Sequence, residues 1–296
     1  MSTIKSLLMV LSLSLLFIGG AVSQSNKRFE VKEVFNVTYL KLGDRELKLD
    51  LFIPKNLDNK TPCIVGLHGG AWIKGNRRNF HRACRGLAER DYIAASVSYR
   101  LAGEAPFPAQ IQDIQAAIRW LKKNAETYQI DPDRIGVAGF SAGGHLATLV
   151  ASSGNSEGAW PKLDDLEGDA MVRVAIPMAA QSDLETDRIR KVSASEEQYF
   201  YRVFLSGSLS ENPETYRLAS PLVHLDKNDP PVAFICGSKD NESTRGSSYR
   251  SKMTKLGIDH DLLVIDGAPH VFLTNPQWYE LAMDFMVKFL DKHLKN

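Results

Sequence analysis

The stretch Gly139-Phe140-Ser141-Ala142-Gly143 decides the fold, because it joins an apolar run to a helical pattern. Residues 135–138 predict a buried strand, and residues from about 143 to 151 predict a helix. Glycines two positions before and after a serine permit a tight turn that holds the hydroxyl above the edge of a sheet. The turn also places Ser141 at a helix N-terminus, where free backbone amides favour negative charge. The pattern is typical of a serine nucleophile; a close-packed glycine turn without chemistry is the alternative.

Short apolar runs alternate with amphipathic segments along most of the chain. The runs that predict strands are 63–67, 92–97, 135–138, 172–178, 232–236 and 262–265. The amphipathic segments between them, such as the one carrying Ile111, Ile114, Ile118 and Leu121, predict helices. This alternation predicts a doubly wound α/β domain with a mostly parallel sheet. Near the N-terminus, Leu47, Leu49 and Leu51 alternate with charged residues and predict an antiparallel edge hairpin.

Two stretches, 152–171 and 180–225, do not fit this alternation. We expect them to be small cap insertions over the ends of the strands, where a ligand would lie. The last helix is predicted to begin with Asn275 as its cap and Pro276 at its first position. Its inward side chains are predicted to be Trp278, Leu281, Ala282, Phe285 and Phe289.

The composition is that of an ordinary globular protein. The 296 residues include 36 basic and 35 acidic side chains, so the net charge of +1 gives no electrostatic reason to expect nucleic acid. The chain has three cysteines, Cys63, Cys84 and Cys236, and all three fall in segments predicted to be buried. No spacing of ligands indicates a metal site, so we expect no metal. The length allows one domain that spans residues 24–296.

Residues 1–23 have the pattern of a secretory signal peptide. Lys5 precedes an apolar run at 7–18, and small residues follow, with cleavage expected after Ser23 or after Ala21. The run is shorter than the roughly 20 residues of a membrane-spanning helix, which argues against the alternative of a retained anchor. We therefore expect a secreted or periplasmic protein that has no stable membrane insertion after cleavage.

The motif His68-Gly69-Gly70-Ala71-Trp72 follows a predicted strand and is a candidate oxyanion hole. Acyl transfer passes through a tetrahedral oxyanion, which needs preorganised donors. The backbone amides of Gly69, Gly70 and Ala142 are the candidates. His68 is interpreted as structural. Trp72 is predicted either to form a pocket wall or to pack within the loop, and Phe140 is a second candidate for the pocket wall.

A serine nucleophile needs a histidine base, and seven histidines are available. In this architecture the order along the chain is serine, acid, histidine. His270 follows a strand end on the expected side of the sheet and is the candidate base. His145, on the helix after Ser141, is expected to point away from the site. The remaining histidines precede the serine or lie at the wrong ends of elements.

The acid that orients the base should also follow a strand end. Asp240 comes just after the predicted strand 232–236 and is the first candidate. Its alternative role is that of a turn carboxylate that caps the next helix. Asp183 is the competing acid, and Glu242 is a third, weaker candidate.

Further segments carry a family resemblance. SYRLAGEAPFPAQIQDIQAAIRWL (98–121), IDPDRIGV (130–137) and ASPL (219–222) add to the two glycine motifs. From about residue 34 onward, the chain resembles the α/β-hydrolase superfamily, nearest to the hormone-sensitive-lipase-like and bacterial feruloyl-esterase-like carboxylesterases. The resemblance implies an eight-stranded sheet, no cofactor and a triad of Ser141, Asp240 and His270. Ser238 stands where relatives often have the first of two acids.

The sequence therefore predicts an exported serine carboxylesterase with a Ser-His-Asp triad and an acyl-enzyme. Its expected partner is a small-molecule or glycan ester, with a short acyl (acetyl) or feruloyl group on carbohydrate; the carbohydrate rests on export and the resemblance. One alternative is an amide or peptide hydrolase, aminopeptidase-like or formamidase-like, on the same fold. The other is a binding module that has lost catalysis. The sequence indicates neither the exact ester nor the oligomeric state.

Overall fold

The protein is described by a computed structural model that covers residues 28–154 and 160–295. The predicted signal peptide lies outside these residues. Eight strands form one sheet: β1 Val31–Leu42, β2 Arg45–Pro54, β3 Thr61–Leu67, β4 Ile93–Val97, β5 Ile130–Phe140, β6 Val174–Met178, β7 Val232–Gly237 and β8 His260–Ile265. Their order across the sheet is β1-β2-β4-β3-β5-β6-β7-β8.

The sheet is parallel except at its N-terminal edge. Strands β1 and β2 form an antiparallel hairpin, in which Leu40 pairs with Leu47 and Gly43 adopts a φ of +59° in the turn. Strand β2 then pairs antiparallel with β4, and the pairs from β4 to β8 are parallel. The doubly wound sheet with an antiparallel edge is therefore confirmed. Because parallel strands all end at one edge, the loops after β3, β5, β7 and β8 lie together.

Ten helices connect or cover the strands in the described ranges: α1 His81–Ala88, α2 Ala109–Lys123, α3 Ala125–Tyr128, α4 Ala142–Ser153, α5 Asp187–Ser193, α6 Phe200–Leu205, α7 Pro213–Ala219, α8 Pro221–His224, α9 Ser247–Leu256 and α10 Pro276–Leu294. Short 3₁₀ turns lie at Arg77–Phe80, Glu196–Gln198 and Glu242–Arg245. Helices α1 and α10 pack in one apolar cluster, whereas α2, α4 and α9 pack in the other. The two clusters cover opposite faces of the sheet, as a doubly wound fold requires.

The structure corrects the predicted inner face of the last helix. Asn275 caps α10 and Pro276 begins it, as expected. Ala282 and Phe289 are buried, as predicted. Leu281, however, is 50% exposed, whereas Tyr279, Met283 and Met286 are buried. The helix is apolar around much of its circumference, so hydropathy alone predicts a stripe that coincides only in part with the buried one.

The two irregular stretches have different positions. The second forms α5 to α8 and, as expected, contributes side chains to the cavity at the carboxyl end of the strands. The described part of the first packs against α2 instead, where Arg119 pairs with Asp164 and Gln112 donates to the carbonyl of Pro161. Strand β6 begins at Val174, two residues later than predicted. Of the two stretches, the second is therefore the one whose described residues line the site.

Candidate active site

The turn after β5 holds Ser141 in a strained conformation. Its φ of +54° and ψ of −117° lie outside the regions that L-residues usually adopt. The Ser141 amide donates to the carbonyl of Met178, at 2.8 Å. A Cβ on Gly139 would lie 2.2 Å from the carbonyl oxygen of Gly143, and one on Gly143 would lie 2.3 Å from that of Leu67. Both glycines are therefore required by close backbone contact.

Ser141, His270 and Asp240 form one hydrogen-bond chain. The Ser141 hydroxyl lies 3.0 Å from Nε2 of His270, and Nδ1 of His270 lies 2.9 Å from Oδ2 of Asp240. The Asp240 side chain is 7% exposed and that of His270 is 43% exposed. With Nδ1 donating to the carboxylate, Nε2 is free to accept the serine proton. The structure thus brings together the three side chains that the sequence indicated.

The loop after β7 fixes the acid. Burial raises the pKa of the Asp240 carboxyl, but the hydrogen bond and charge of His270, together with hydrogen bonds from Asn241 and Thr244, lower it by more, so the pKa is lowered overall. Ser238 accepts a hydrogen bond from the Gly267 amide at 2.8 Å, which ties the acid loop to the loop that carries His270. Ser238, which stands where relatives often have an acid, therefore joins the two loops.

The competing acids lie in other roles. Asp183 accepts a hydrogen bond from the amide of Glu185 at 2.9 Å, as a turn carboxylate does. Glu242 pairs with Arg245 on the surface. Neither carboxylate contacts His270 among the hydrogen bonds and ion pairs of the described residues.

The loop after β3 carries the candidate oxyanion amides and lies beside Ser141. A Cβ on Gly69 would lie 3.3 Å from Cβ of Ser141, so this loop directly adjoins the nucleophile turn. Gly70 has a φ of +128°, and a Cβ there would lie 2.0 Å from the Lys74 carbonyl oxygen. Ala142 is the first residue of α4, where a helix amide has no acceptor within the helix. No described residue accepts a backbone hydrogen bond from the amides of Gly69, Gly70 or Ala142.

Two cavities meet at Ser141 and His270. The inner cavity, of about 220 Å³, extends from Trp72 to the second insertion, including Arg188 and Tyr201. The outer cleft, of about 750 Å³, is larger and more open and is lined by Phe140, Leu273 and the glycine loop. Trp72 therefore lies on the inner side and Phe140 on the outer side. The sequence offered no motif that marks Arg188.

His145 is placed differently from the prediction. It lies one helical turn after Ser141, and residues four apart share a helix face, so it lines the inner cavity instead of pointing away. Its Nε2 donates to the carbonyl of Ala219 at 2.8 Å, and its Nδ1 accepts the indole N–H of Trp72 at 3.2 Å. Burial lowers the pKa of His145 to about 4, so the ring is neutral. His145 joins the nucleophile helix to the second insertion.

Trp72 both packs in the loop and lines the cavity. It is 3% exposed and stacks on Phe204 with ring centroids 4.5 Å apart. His68 is buried, and its Nδ1 donates to the Gly69 carbonyl at 2.8 Å while its ring stacks on Tyr99. Burial lowers the pKa of His68 to about 4, in agreement with the structural role expected for it.

Potential metal ligands are not grouped in the part of the chain that the structure describes. No three His, Cys, Asp or Glu side chains lie close enough to hold an ion there. The three cysteines are free thiols in the core. No described helix is both long enough and apolar enough to cross a bilayer.

Known proteins resemble this chain in sequence. The model of the BD-FAE family matches residues 49–250. Carboxylesterase NlhH of Mycobacterium tuberculosis is 37% identical over 226 residues, which cover 74% of this chain and 69% of NlhH. Esterase LipC of the same organism is 31% identical over 194 residues, which cover 65% of this chain and 48% of LipC. The chain spans about half the length of the first curated relatives it matches, LipC, LipQ and LipM.

Solved structures share the fold. A truncated carbohydrate esterase from gut microbiota aligns with a TM-score of 0.73 at 24% identity, over 89% of this chain and 98% of that one. A bifunctional GH43-CE protein of Bacteroides eggerthii aligns with a TM-score of 0.74 at 25% identity, over 88% of this chain and 35% of that one. With the family match over residues 49–250, these likenesses show that the chain belongs to the BD-FAE family and has the α/β-hydrolase fold.

Proposed function

We propose that this protein is a serine carboxylic-ester hydrolase that acts through an acyl-enzyme on short acyl or feruloyl esters of carbohydrates. The observation that carries the proposal is the hydrogen-bond chain from Ser141 through His270 to Asp240, which ends beside backbone amides without acceptors. This arrangement supports nucleophilic catalysis by the serine, because the hydroxyl has a base and the base has an orienting acid.

In the first half of the reaction, Ser141 Oγ attacks the ester carbonyl while His270 Nε2 takes its proton. The carbonyl oxygen becomes an oxyanion, and the amides of Gly69, Gly70 and Ala142 donate to it. The carbon–oxygen bond to the alcohol then breaks, and the imidazolium gives its proton to the leaving alcohol. Asp240 stays ionised and stabilises the imidazolium.

In the second half, water takes the place of the alcohol. His270 removes a proton from this water, which attacks the acyl-enzyme carbonyl, and the same amides hold the second oxyanion. The bond to Ser141 Oγ breaks, and the serine recovers its proton from His270. The products are the free acid and the regenerated hydroxyl.

The two cavities support a binding mode in which the acyl group lies in the inner cavity and the alcohol lies in the outer cleft. The inner cavity of about 220 Å³ is smaller than the roughly 300–1,000 Å³ of pockets that hold drug-sized molecules, which favours a short acyl group. The larger outer cleft is open enough for a carbohydrate alcohol. The names of relatives, an esterase, a carboxylesterase and a carbohydrate esterase, support the same reaction class. Export through residues 1–23 is part of the proposal and rests on their sequence pattern.

The first test is labelling and turnover. A fluorophosphonate probe should label the wild type at Ser141, and the protein should hydrolyse 4-nitrophenyl acetate. Ser141→Ala should abolish labelling and cut turnover by about 10⁴- to 10⁶-fold. Ser248→Ala, at an exposed serine on α9, should change neither. An unlabelled wild type would identify a binding module.

The second test concerns the bond that is cleaved. Acetylated and feruloylated glycans should release acetic or ferulic acid, and aminoacyl anilides should be hydrolysed more slowly than 4-nitrophenyl acetate. Faster turnover of the anilides would favour the amide or peptide hydrolase instead.

A further inference from the structure

Arg188, on α5 of the second insertion, lines the inner cavity together with Ser141 and His270. Its Nη1 atom is shut off from solvent, and no described residue accepts a hydrogen bond from it. The described residues also include no carboxylate within ion-pair distance of the guanidinium, whereas other buried or half-buried arginines have one, such as Arg119 with Asp164 and Arg100 with Asp113. No carboxylate of the described residues therefore pairs with the charge of Arg188, and its Nη1 atom lacks an acceptor.

The surroundings of Arg188 are polar. Burial raises the pKa of the Tyr201 hydroxyl, and the nearby charge of Arg188 opposes that rise. Gln181 and Gln198 line the same cavity. A cavity that served only an aliphatic acyl chain would instead be expected to have apolar walls.

Leaving a buried charge without a partner costs folding free energy, so a ligand that supplies the partner is favoured. A guanidinium presents N–H donors in a planar fork that matches a carboxylate. We propose that Arg188 binds a carboxylate at the far end of the acyl group, so that the inner cavity accepts half-esters of short dicarboxylic acids. This inference rests on the proposed esterase function and specifies its substrate class.

The other ionisable groups of the cavity are compatible with an anion there. The Asp240 carboxylate is engaged by His270, and His145 is neutral and has both nitrogens hydrogen-bonded. Arg188 is thus the cation that remains available among the described residues lining this cavity. The outer cleft is left for the alcohol, which enters and leaves on the open side.

The test compares two ethyl esters of similar shape, monoethyl succinate and ethyl 4-oxopentanoate, which end in a carboxylate and in a neutral acetyl group. Released ethanol gives kcat/KM for each. The wild type should prefer monoethyl succinate by about 10-fold or more. Arg188→Gln should lose about 10- to 100-fold on monoethyl succinate and change little on the neutral ester. Arg188→Lys should retain part of the preference, and Arg190→Gln, an exposed arginine on the same helix, should retain all of it.

The outcomes separate the two proposals. A wild type that hydrolyses the neutral ester at least as well as monoethyl succinate, or an Arg188→Gln variant that loses both activities equally, overturns the role of Arg188 and leaves the esterase standing. No hydrolysis of any ester, with no labelling of Ser141, overturns the esterase itself. If Arg188→Gln does not fold, inhibition of wild-type 4-nitrophenyl acetate hydrolysis decides: succinate should inhibit at least about 10-fold more strongly than butanoate, and equal inhibition contradicts the inference.

Discussion

Asp240 differs from the other candidate acids in what it contacts. Its Oδ2 accepts a hydrogen bond from His270, whereas Oδ1 of Asp183 accepts one from the amide of Glu185 in a turn. Replacing the triad carboxylate by an amide favours the tautomer with a proton on Nε2, which cannot accept the serine proton.

We therefore expect Asp240→Asn to lower kcat for 4-nitrophenyl acetate by about 10³- to 10⁴-fold. Asp183→Asn is the matched control and should change kcat less than about threefold, since its carboxylate lies in a turn. Steady-state kinetics on both variants check this. A larger loss in Asp183→Asn than in Asp240→Asn would contradict the assignment of Asp240 as the triad acid.

The residues that sequence could identify are those fixed by backbone requirements. Ser141, Asp240 and His270 each follow a strand end, and glycines or turn residues mark those positions. The position of His145 depends on a contact distant in sequence, because the ring lines the cavity by hydrogen-bonding to Ala219 of the second insertion. Arg188 could not be predicted, because its role depends on which partners it lacks, and this follows only from tertiary packing.

At the scale of elements, the first insertion is held by one buried ion pair. Arg119 on α2 and Asp164 have side chains that are each only 5% exposed. Asp164 also accepts the amide of Leu166 at 3.0 Å, which shapes the segment around the pair. Such an arrangement makes the segment sensitive to loss of one partner, because the other charge would stay buried.

Asp164→Asn should therefore reduce the free energy of unfolding by about 3–5 kcal/mol. Asp165→Asn changes the neighbouring exposed carboxylate and should remain within about 0.5 kcal/mol of the wild type. Urea unfolding of the three proteins measures this. Equal free energies of unfolding for Asp164→Asn and Asp165→Asn would contradict this prediction, because the buried pair would then matter no more than an exposed carboxylate.

The elements themselves were predicted more reliably than their orientation. The six predicted parallel-sheet strands and the edge hairpin all exist, because β-type runs and turn residues are local signals. The rotation of α10 about its axis is not a local signal. Leu281 completes an apolar stripe with Trp278 and Phe285, yet Tyr279 and Met283 on the neighbouring stripe are buried and adjoin α1 at Gly86. Which stripe is buried depends on the shape of the partner surface.

Across the whole molecule, two neutral imidazoles are buried beside the site, His68 and His145. Burial lowers the pKa of each to about 4, compared with about 6.5 in an unfolded chain. Because the pKa is lower in the folded protein, the unfolded chain binds more protons than the folded chain between about pH 4 and about pH 6.5. The corresponding stability is fully present above about pH 6.5 and is lost as the pH falls toward about 4.

As the pH falls from 7 to 5, we expect the free energy of unfolding of the wild type to fall by about 2 kcal/mol relative to that of His145→Gln. Burial raises the pKa of Asp229 to about 7, so this carboxyl titrates in the same window with the opposite sign. The difference between the two proteins removes that contribution. Urea unfolding at several pH values measures it, and a difference that does not vary with pH would contradict a neutral buried His145.

The contact between Gly143 and the end of β3 leads to a wider consequence. The main chains of the first turn of α4 and the end of β3 touch there with no room for even a methyl group, so the geometry around Ser141 is set by the polypeptide backbone. Five of the side chains that line the inner cavity come instead from a separate segment, 180–225. Substitutions in that segment can therefore change which molecules the inner cavity accepts, while the backbone contacts that hold Ser141 stay the same.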